Sequence, residues 1–418
     1  MLLFLTFNVS SASGAPSPQL ERLLDEADRN PSLQAAYEQI EVAESKIDQV
    51  ESLPDPVVSF ALSSYPVDGL ESDRVAMTGN EIKLAQMFPF PGKLDTQGQI
   101  AANKSRWFSA VYQDARLQLR STVKDAWFRL LFQRQAIELT ERNLQLIDDF
   151  IKLTETRYEV GQGLQQNILK AQLQRSKQQE QLLFLLQQEE ATQAELNSLA
   201  GRDTAQKVET DEQLKSVTRS FDLASLQLNA EHNRPLFHAF SALINQYKEQ
   251  RKLAKLDDRP DFTLWASYRF RDNALPDGGT DFISAGVSLN LPIQKKRRAA
   301  AVAEADSSLR LAYQKRDDFL NRTKLTIHQE LTRFEQARDL AELYQSGIIP
   351  QASQTFKATL SAYQVDKVDF LDLLDSLMTL YRYQIDHIKA ISTQHRSQAL
   401  VEAAAGLEIN QLPKTQNL

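Results

Sequence analysis

Cysteine is absent from all 418 residues, which excludes disulfides, thiolate metal sites, cysteine nucleophiles and cysteine-linked lipid anchors together. Glycine and proline are scarce, at 13 and 14 residues, so a fold dominated by tight turns is not expected. No long uncharged apolar run approaches the ~18–20 residues of a membrane-spanning helix. A basic excess is also missing: 48 Lys and Arg stand against 55 Asp and Glu, for a net charge of −7, and no Lys/Arg block lies beside aromatics. Nucleic acid is therefore not an expected partner. The five histidines, His232, His238, His328, His387 and His395, have no metal-ligand spacing, and no Gly-rich phosphate loop appears. Neither cofactor nor metal is expected, nor is the chain expected to be an enzyme.

What is abundant is Gln, Leu, Ala, Glu and Arg, a composition that points to helix. The first fifteen residues, Met1 to Ala15, are an apolar run followed by small residues, like the end of a secretory signal that lacks its basic start. A plain apolar strand or helix is the other reading of this segment.

The two halves of the chain match at a nearly fixed offset. NPSLQAAYEQI, from Asn30, is answered by RPLFHAFSALI, with Pro31 facing Pro235 at an offset of 204. LPDPVVSF is answered by RPDFTLWA, with Asp55 facing Asp261 at 206, and Phe90-Pro91 faces Leu291-Pro292 at 201. RYEVGQGLQQNILKAQ is answered by AYQVDKVDFLDLLDSL, placing Tyr158, Val160 and Leu169 opposite Tyr363, Val365 and Leu374 at 205. Pro91 to Tyr158 is 67 residues and Pro292 to Tyr363 is 71, so the second copy carries about one extra helical turn. The chain thus divides into a signal remnant, 1–15, a first repeat, 16–209, and a second, 210–418.

Each repeat contains two segments of period-two alternation, about 55–65 and 80–90, then 260–271 and 280–292. Phe262, Leu264, Ala266, Tyr268 and Phe270 alternate with Thr263, Trp265, Ser267, Arg269 and Arg271. About ten residues is the length of a transmembrane β-strand, although a soluble sheet with one buried face would alternate in the same way. Long helical hairpins are expected over 91–200 and 293–405. In the first, Val123, Leu130, Ile137, Leu144, Ile151 and Tyr158 form one stripe of spacing seven, and Phe132, Leu139, Leu146, Leu153 and Val160 form a second. The stripes are displaced by two positions, roughly 200° around the helix, so each helix has a neighbour on two flanks, as in the wall of a helical tube. A long three-helix coiled coil is the simpler alternative. A weaker stripe, Ile327, Phe334, Ala341 and Ile348, runs in the second repeat towards Pro350, where a kink is expected.

Four transmembrane strands cannot close a barrel, whose smallest single-chain form has about eight, and open edges are not tolerated in lipid. Three copies would supply twelve. At this point the sequence resembles the TolC-type outer-membrane efflux proteins, from Asn30 to Ile409. The resemblance rests on the duplicated helix–strand–strand–helix–helix order, the QMFPFPGK segment from Gln86 to Lys93, the paired RYEVGQG and AYQVDKVDFLDLLDS turns, and the IIPQA kink. FPFPGK is most similar to the heavy-metal resistance branch.

The resemblance implies a mainly α fold with a β-barrel portion: a homotrimer whose twelve-stranded transmembrane barrel continues into a long α-helical barrel. It implies an outer-membrane channel-tunnel of a Gram-negative-type cell, largely periplasmic, conducting metal ions, drugs or other small molecules passively. Its partners would be a periplasmic adaptor, an inner-membrane pump of RND type that supplies the energy, and outer-membrane lipid. The family's aperture acids fall on Asp372 and Asp375, with Asp366 and Asp369 as outer rings and Tyr363 helping to hold the tip shut. Val160, Gly161, Gly163, Val365, Asp366 and Lys367 fall in the adaptor-contact turns. Two family positions depart: Val368 replaces a basic residue and Asn167 an acid, leaving Lys367 as the expected substitute lock. The competing readings are a soluble coiled-coil scaffold, a type I protein-secretion channel, and an enzyme using Asp372 and Asp375 as acid and base.

Overall fold

The structure, a computed structural model, describes residues 17–210, 213–275 and 277–407. The signal segment read over 1–15 lies outside the described residues. Two compact units are present, one built from 17–35, 112–237 and 319–407, the other from 36–111 and 238–318.

The first unit is helical. It contains α1 (Pro18–Ala27), most of α3 (Lys93–Glu159), α4 (Gln165–Leu199), α5 (Leu223–Asn233), the later part of α7 (Lys295–Leu343), α8 (Ile349–Gln364) and α9 (Phe370–Ala405). Local chemistry fixes the short helices. Ser17 caps α1 by accepting from the Leu20 amide at 3.3 Å, with Pro18 in the first turn, and Asp222 caps α5 by accepting from the Ser225 amide at 2.8 Å. The main core joins Val123, Trp127, Leu130 and Leu131 of α3 to Leu20, Leu23 and Leu24 of α1, Leu196 of α4 and Ile391 of α9.

The burial of α3 differs in one respect from the two-stripe reading. Its most buried line runs between the stripes, through Ala126, Gln133, Thr140, Ile147 and Thr154, while Leu146, Tyr158 and Val160 on the flanks are exposed in the single chain. That line is part polar because its polar members find partners: Gln133 donates to Thr192 at 3.0 Å, and the Thr140 and Tyr381 hydroxyls meet at 2.8 Å. Ion pairs flank it, Lys124 to Glu402 at 2.6 Å and Arg396 to Asp125 at 2.7 Å. In the second repeat Ile327, Phe334 and Ala341 are buried.

The long helix of the second repeat is interrupted by a π turn. Where α3 runs 67 residues without interruption, its counterpart is α7 of 49 residues, a five-residue π turn at Tyr344–Ile348, and α8 of 16. The Ile349 amide reaches back to the Tyr344 carbonyl, and Pro350 follows in the first turn of α8. The proline is accommodated by a wider turn, and helix resumes directly after it.

The second unit carries α2 (Pro31–Glu51), α6 (Pro235–Leu256), the start of α3 and of α7, and a four-stranded antiparallel sheet. Its strands, β1 (Val57–Ser63), β2 (Gly79–Phe88), β3 (Phe262–Phe270) and β4 (Phe282–Leu289), pair in sequence order. The β2–β3 ladder, Asn80 with Phe270 through Phe88 with Phe262, joins the two repeats into one sheet. One face presents Phe60, Leu62, Ile82, Leu84, Leu264, Ile283, Val287 and Leu289, all exposed, Ile283 at 79%. A soluble capping sheet would bury that face, so this arrangement argues against the scaffold reading. Asp261 ties the strand ends together: its carboxylate accepts from the Phe90 amide at 2.8 Å and meets Lys93 Nζ at 3.0 Å, while its own amide donates to Asn290 at 2.6 Å.

Candidate functional site

The expected site lies where the helices reverse, within the first unit. α3 and α8 end in the same way. The Gln162 amide donates to the Arg157 carbonyl at 2.8 Å and Lys367 to that of Ala362 at 3.0 Å, each closing a six-to-one turn around a left-handed residue. In the first repeat that residue is Gly161, at φ 77°. In the second it is Asp366, at φ 56°. α4 and α9 restart at Gln165 and Phe370.

Beneath the turns lies an apolar cluster: Ile147 and Phe150 of α3, Ala171 of α4, Tyr363 of α8, and Phe370, Leu373, Leu374 and Leu377 of α9. Tyr363 is only 5% exposed and meets Phe370 edge-on, their centroids 5.8 Å apart. Burial pushes its hydroxyl above the ordinary tyrosine range, against the opposing pull of Arg157. Val368, which stands where the family has a basic residue, packs against this cluster. An apolar side chain there adds to the packing under the turn.

Arg157 supplies the cross-link, and the sequence reading missed it. From the last turn of α3 its guanidinium forms an ion pair with Asp366, donates to the carbonyls of Tyr363 at 3.0 Å and Gln364 at 3.3 Å, and lies 4.3 Å over the Tyr363 ring. Lys367, the expected lock, has an exposed side chain. A signal for Arg157 was present: at an offset of 205, Arg157 stands opposite Ala362 and Asp366 opposite Gly161, so an added cation in one repeat answers an added anion in the other.

Asp372 and Asp375 are both exposed, three residues apart on α9, and so lie on one face. Asp369 is exposed at the N-cap of α9, its side chain making no capping bond. Asp366 is therefore engaged by Arg157, while the other three carboxylates face outward. Val160, Gly161, Val365 and Lys367 are exposed at the turns, and Gly163 is half-buried. Pro350 lies thirteen residues before Tyr363 on α8, between the π turn and this site. Among the described residues no group of three or more His, Asp or Glu side chains is arranged to hold a metal ion.

Residues 23–202 match the family model described as outer membrane efflux protein. The cobalt-zinc-cadmium resistance protein CzcC of Cupriavidus metallidurans is 21% identical over 383 residues, covering 91% of this chain and 88% of that one. The outer membrane protein VceC of Vibrio cholerae superposes with a TM-score of 0.79 at 19% identity, covering 93% and 96% of the two chains. CusC, described by its transmembrane channel formation, gives 0.78 at 14% identity over 96% of each. Over residues 23–202 the chain is similar to the outer membrane efflux proteins, and across nearly its whole length it has the fold of outer-membrane efflux channels. Its mainly helical body and small antiparallel sheet are the one-chain share of their β-barrel and α-barrel, and the resemblance read from the paired repeats stands. The family and the solved neighbours are channel proteins.

Proposed function

We propose that three copies of this chain close a twelve-stranded barrel in the outer membrane and act as the exit conduit of a tripartite efflux system. The observation that carries this is the four-stranded sheet, apolar and exposed on one face and open at β1 and β4, since an open edge in lipid must find another strand. Alternation then puts Ser59, Lys83, Trp265, Ser267, Ser284 and Ser288 on the lumenal side. Among the described residues no helix is long and apolar enough to cross a membrane, so the strands are what meet the bilayer.

The paired turns form the gate. Arg157 holds the second repeat's turn to α3, and Asp372 and Asp375 from three copies gather six carboxylates at the aperture, where they favour cations. The exposed turn residues Val160, Gly161, Val365 and Lys367, with Gly163, receive a periplasmic adaptor, and an inner-membrane pump of the RND type supplies the energy. The likeness to CzcC supports divalent metal cations as cargo.

The test is to extract the protein from outer membranes in detergent and record it in planar bilayers. A particle of three 47.4 kDa chains that conducts ions supports the conduit, whereas a monomer recovered without detergent overturns it.

A further inference from the structure

On the face of the sheet opposite the apolar one, a charged side chain and a large aromatic are built into a single unit. Trp265 pairs with Gly286 on β4 and Ala85 on β2, and Lys83 sits one diagonal step away, opposite Ser267. Gly286 has no side chain because the indole occupies that space: a Cβ there would lie 2.6 Å from Trp265 Cζ2 and 2.8 Å from Cε2. The ring therefore lies down against the sheet, and Lys83 Nζ rests over it, 4.4 Å from the centroid. Only two other charges belong to this face of the strands, Glu81 and Arg269, and they neutralise each other across the β2–β3 ladder at 2.9 Å. Lys83 thus leaves the face with one net positive charge per chain.

We propose that Lys83, held over Trp265, forms a ring of three ammonium groups in the barrel lumen that binds small inorganic anions and raises their share of the current. This rests on the trimeric channel reading, because only a closed barrel gathers the three copies. Trp265 acts as a positioning residue: it fixes the lysine stem, and Gly286 keeps the indole out of the conduit. The ring is distinct from the carboxylates of α9 and has the opposite preference.

The experiment measures reversal potentials of the full-length protein in planar bilayers under a potassium chloride gradient, for wild type, Lys83→Met, Lys83→Gln and Lys83→Arg. Both neutral variants should raise the potassium-to-chloride permeability ratio about tenfold near 0.1 M salt, the combined influence of three unit charges each roughly 8 Å away in water. The difference should vanish near 1 M, where the screening length falls to about 3 Å. Lys83→Arg should match wild type. Separately, Gly286→Ala should lift the indole and lower the conductance. A conducting wild type whose ratio is unmoved by both neutral variants overturns the ring and leaves the channel standing. A wild type that conducts nothing overturns the channel, and the ring with it.

Discussion

Arg157, in the last turn of α3, is paired with Asp366, a left-handed residue that closes α8, and so joins the ends of α3 and α8. The equivalent position in the first repeat is Gly161, which accepts positive φ freely. Aspartate there costs roughly 1 kcal/mol of backbone strain. The ion pair, partly exposed at the aspartate, is worth about 0.2–1 kcal/mol. The ion pair thus no more than offsets this backbone strain, which suits the gate proposed above.

Asp366→Asn, which tolerates the left-handed conformation but drops the charge, should raise the open fraction of the channel up to about fivefold per latch. Asp366→Gly should do so too while stabilising the turn itself. Single-channel dwell times distinguish these effects. If Asp366→Asn opens no more than wild type, the pair is ornamental to gating.

The exposed carboxylates of α9 make a different prediction. Replacing Asp372 and Asp375 together with Asn should lower cation selectivity and weaken block by multivalent cations, with the melting temperature nearly unchanged because neither side chain is buried. Selectivity that survives the double substitution would remove both residues from the aperture.

Much of this was legible in the chain. Duplication and strand alternation located the sheet, since a strand with two unlike faces has to alternate and Phe262 to Phe270 does so without a break. The buried line of α3 was harder to see. Apolar periodicity passes over Gln133 and Thr140, whose burial depends on Thr192 and Tyr381, partners remote in sequence. Arg157 was hidden for a related reason: on a helix an arginine reads as a solvated charge until its anion, 209 residues away, is brought to it. Val368 misled in the opposite sense, because losing the family's basic residue suggested that its neighbour Lys367 would take over the lock.

The π turn offers a test by stabilisation. Gly347 sits inside it with an ordinary negative φ, and a Cβ there would come no closer than 3.8 Å, to Leu343. Gly347→Ala should therefore fit and add about 0.5–1 kcal/mol by removing backbone freedom from the unfolded chain. Thermal melts of the detergent-solubilised protein would register the gain. A loss of stability would mean that the wider turn depends on glycine itself.

High pH should loosen the helical wall and the tip. Tyr363 and Tyr381 are both held above the ordinary tyrosine range by burial, an effect that Arg157 partly offsets at the first and the Thr140 hydrogen bond at the second. Their folded forms keep the phenolic proton after the unfolded chain has lost it. The stability this confers is fully present below about pH 10, the unfolded value, and is lost as pH rises through the folded values. Tyrosinate absorbance should accordingly show late-titrating groups, Tyr363 and Tyr381 among them, whose ionisation coincides with loosening of the tip. In Tyr381→Phe one late group should disappear while the others, Tyr363 included, remain. If all tyrosines titrate together in the native protein, neither hydroxyl is shielded in the way the packing around Phe370 and Thr140 requires.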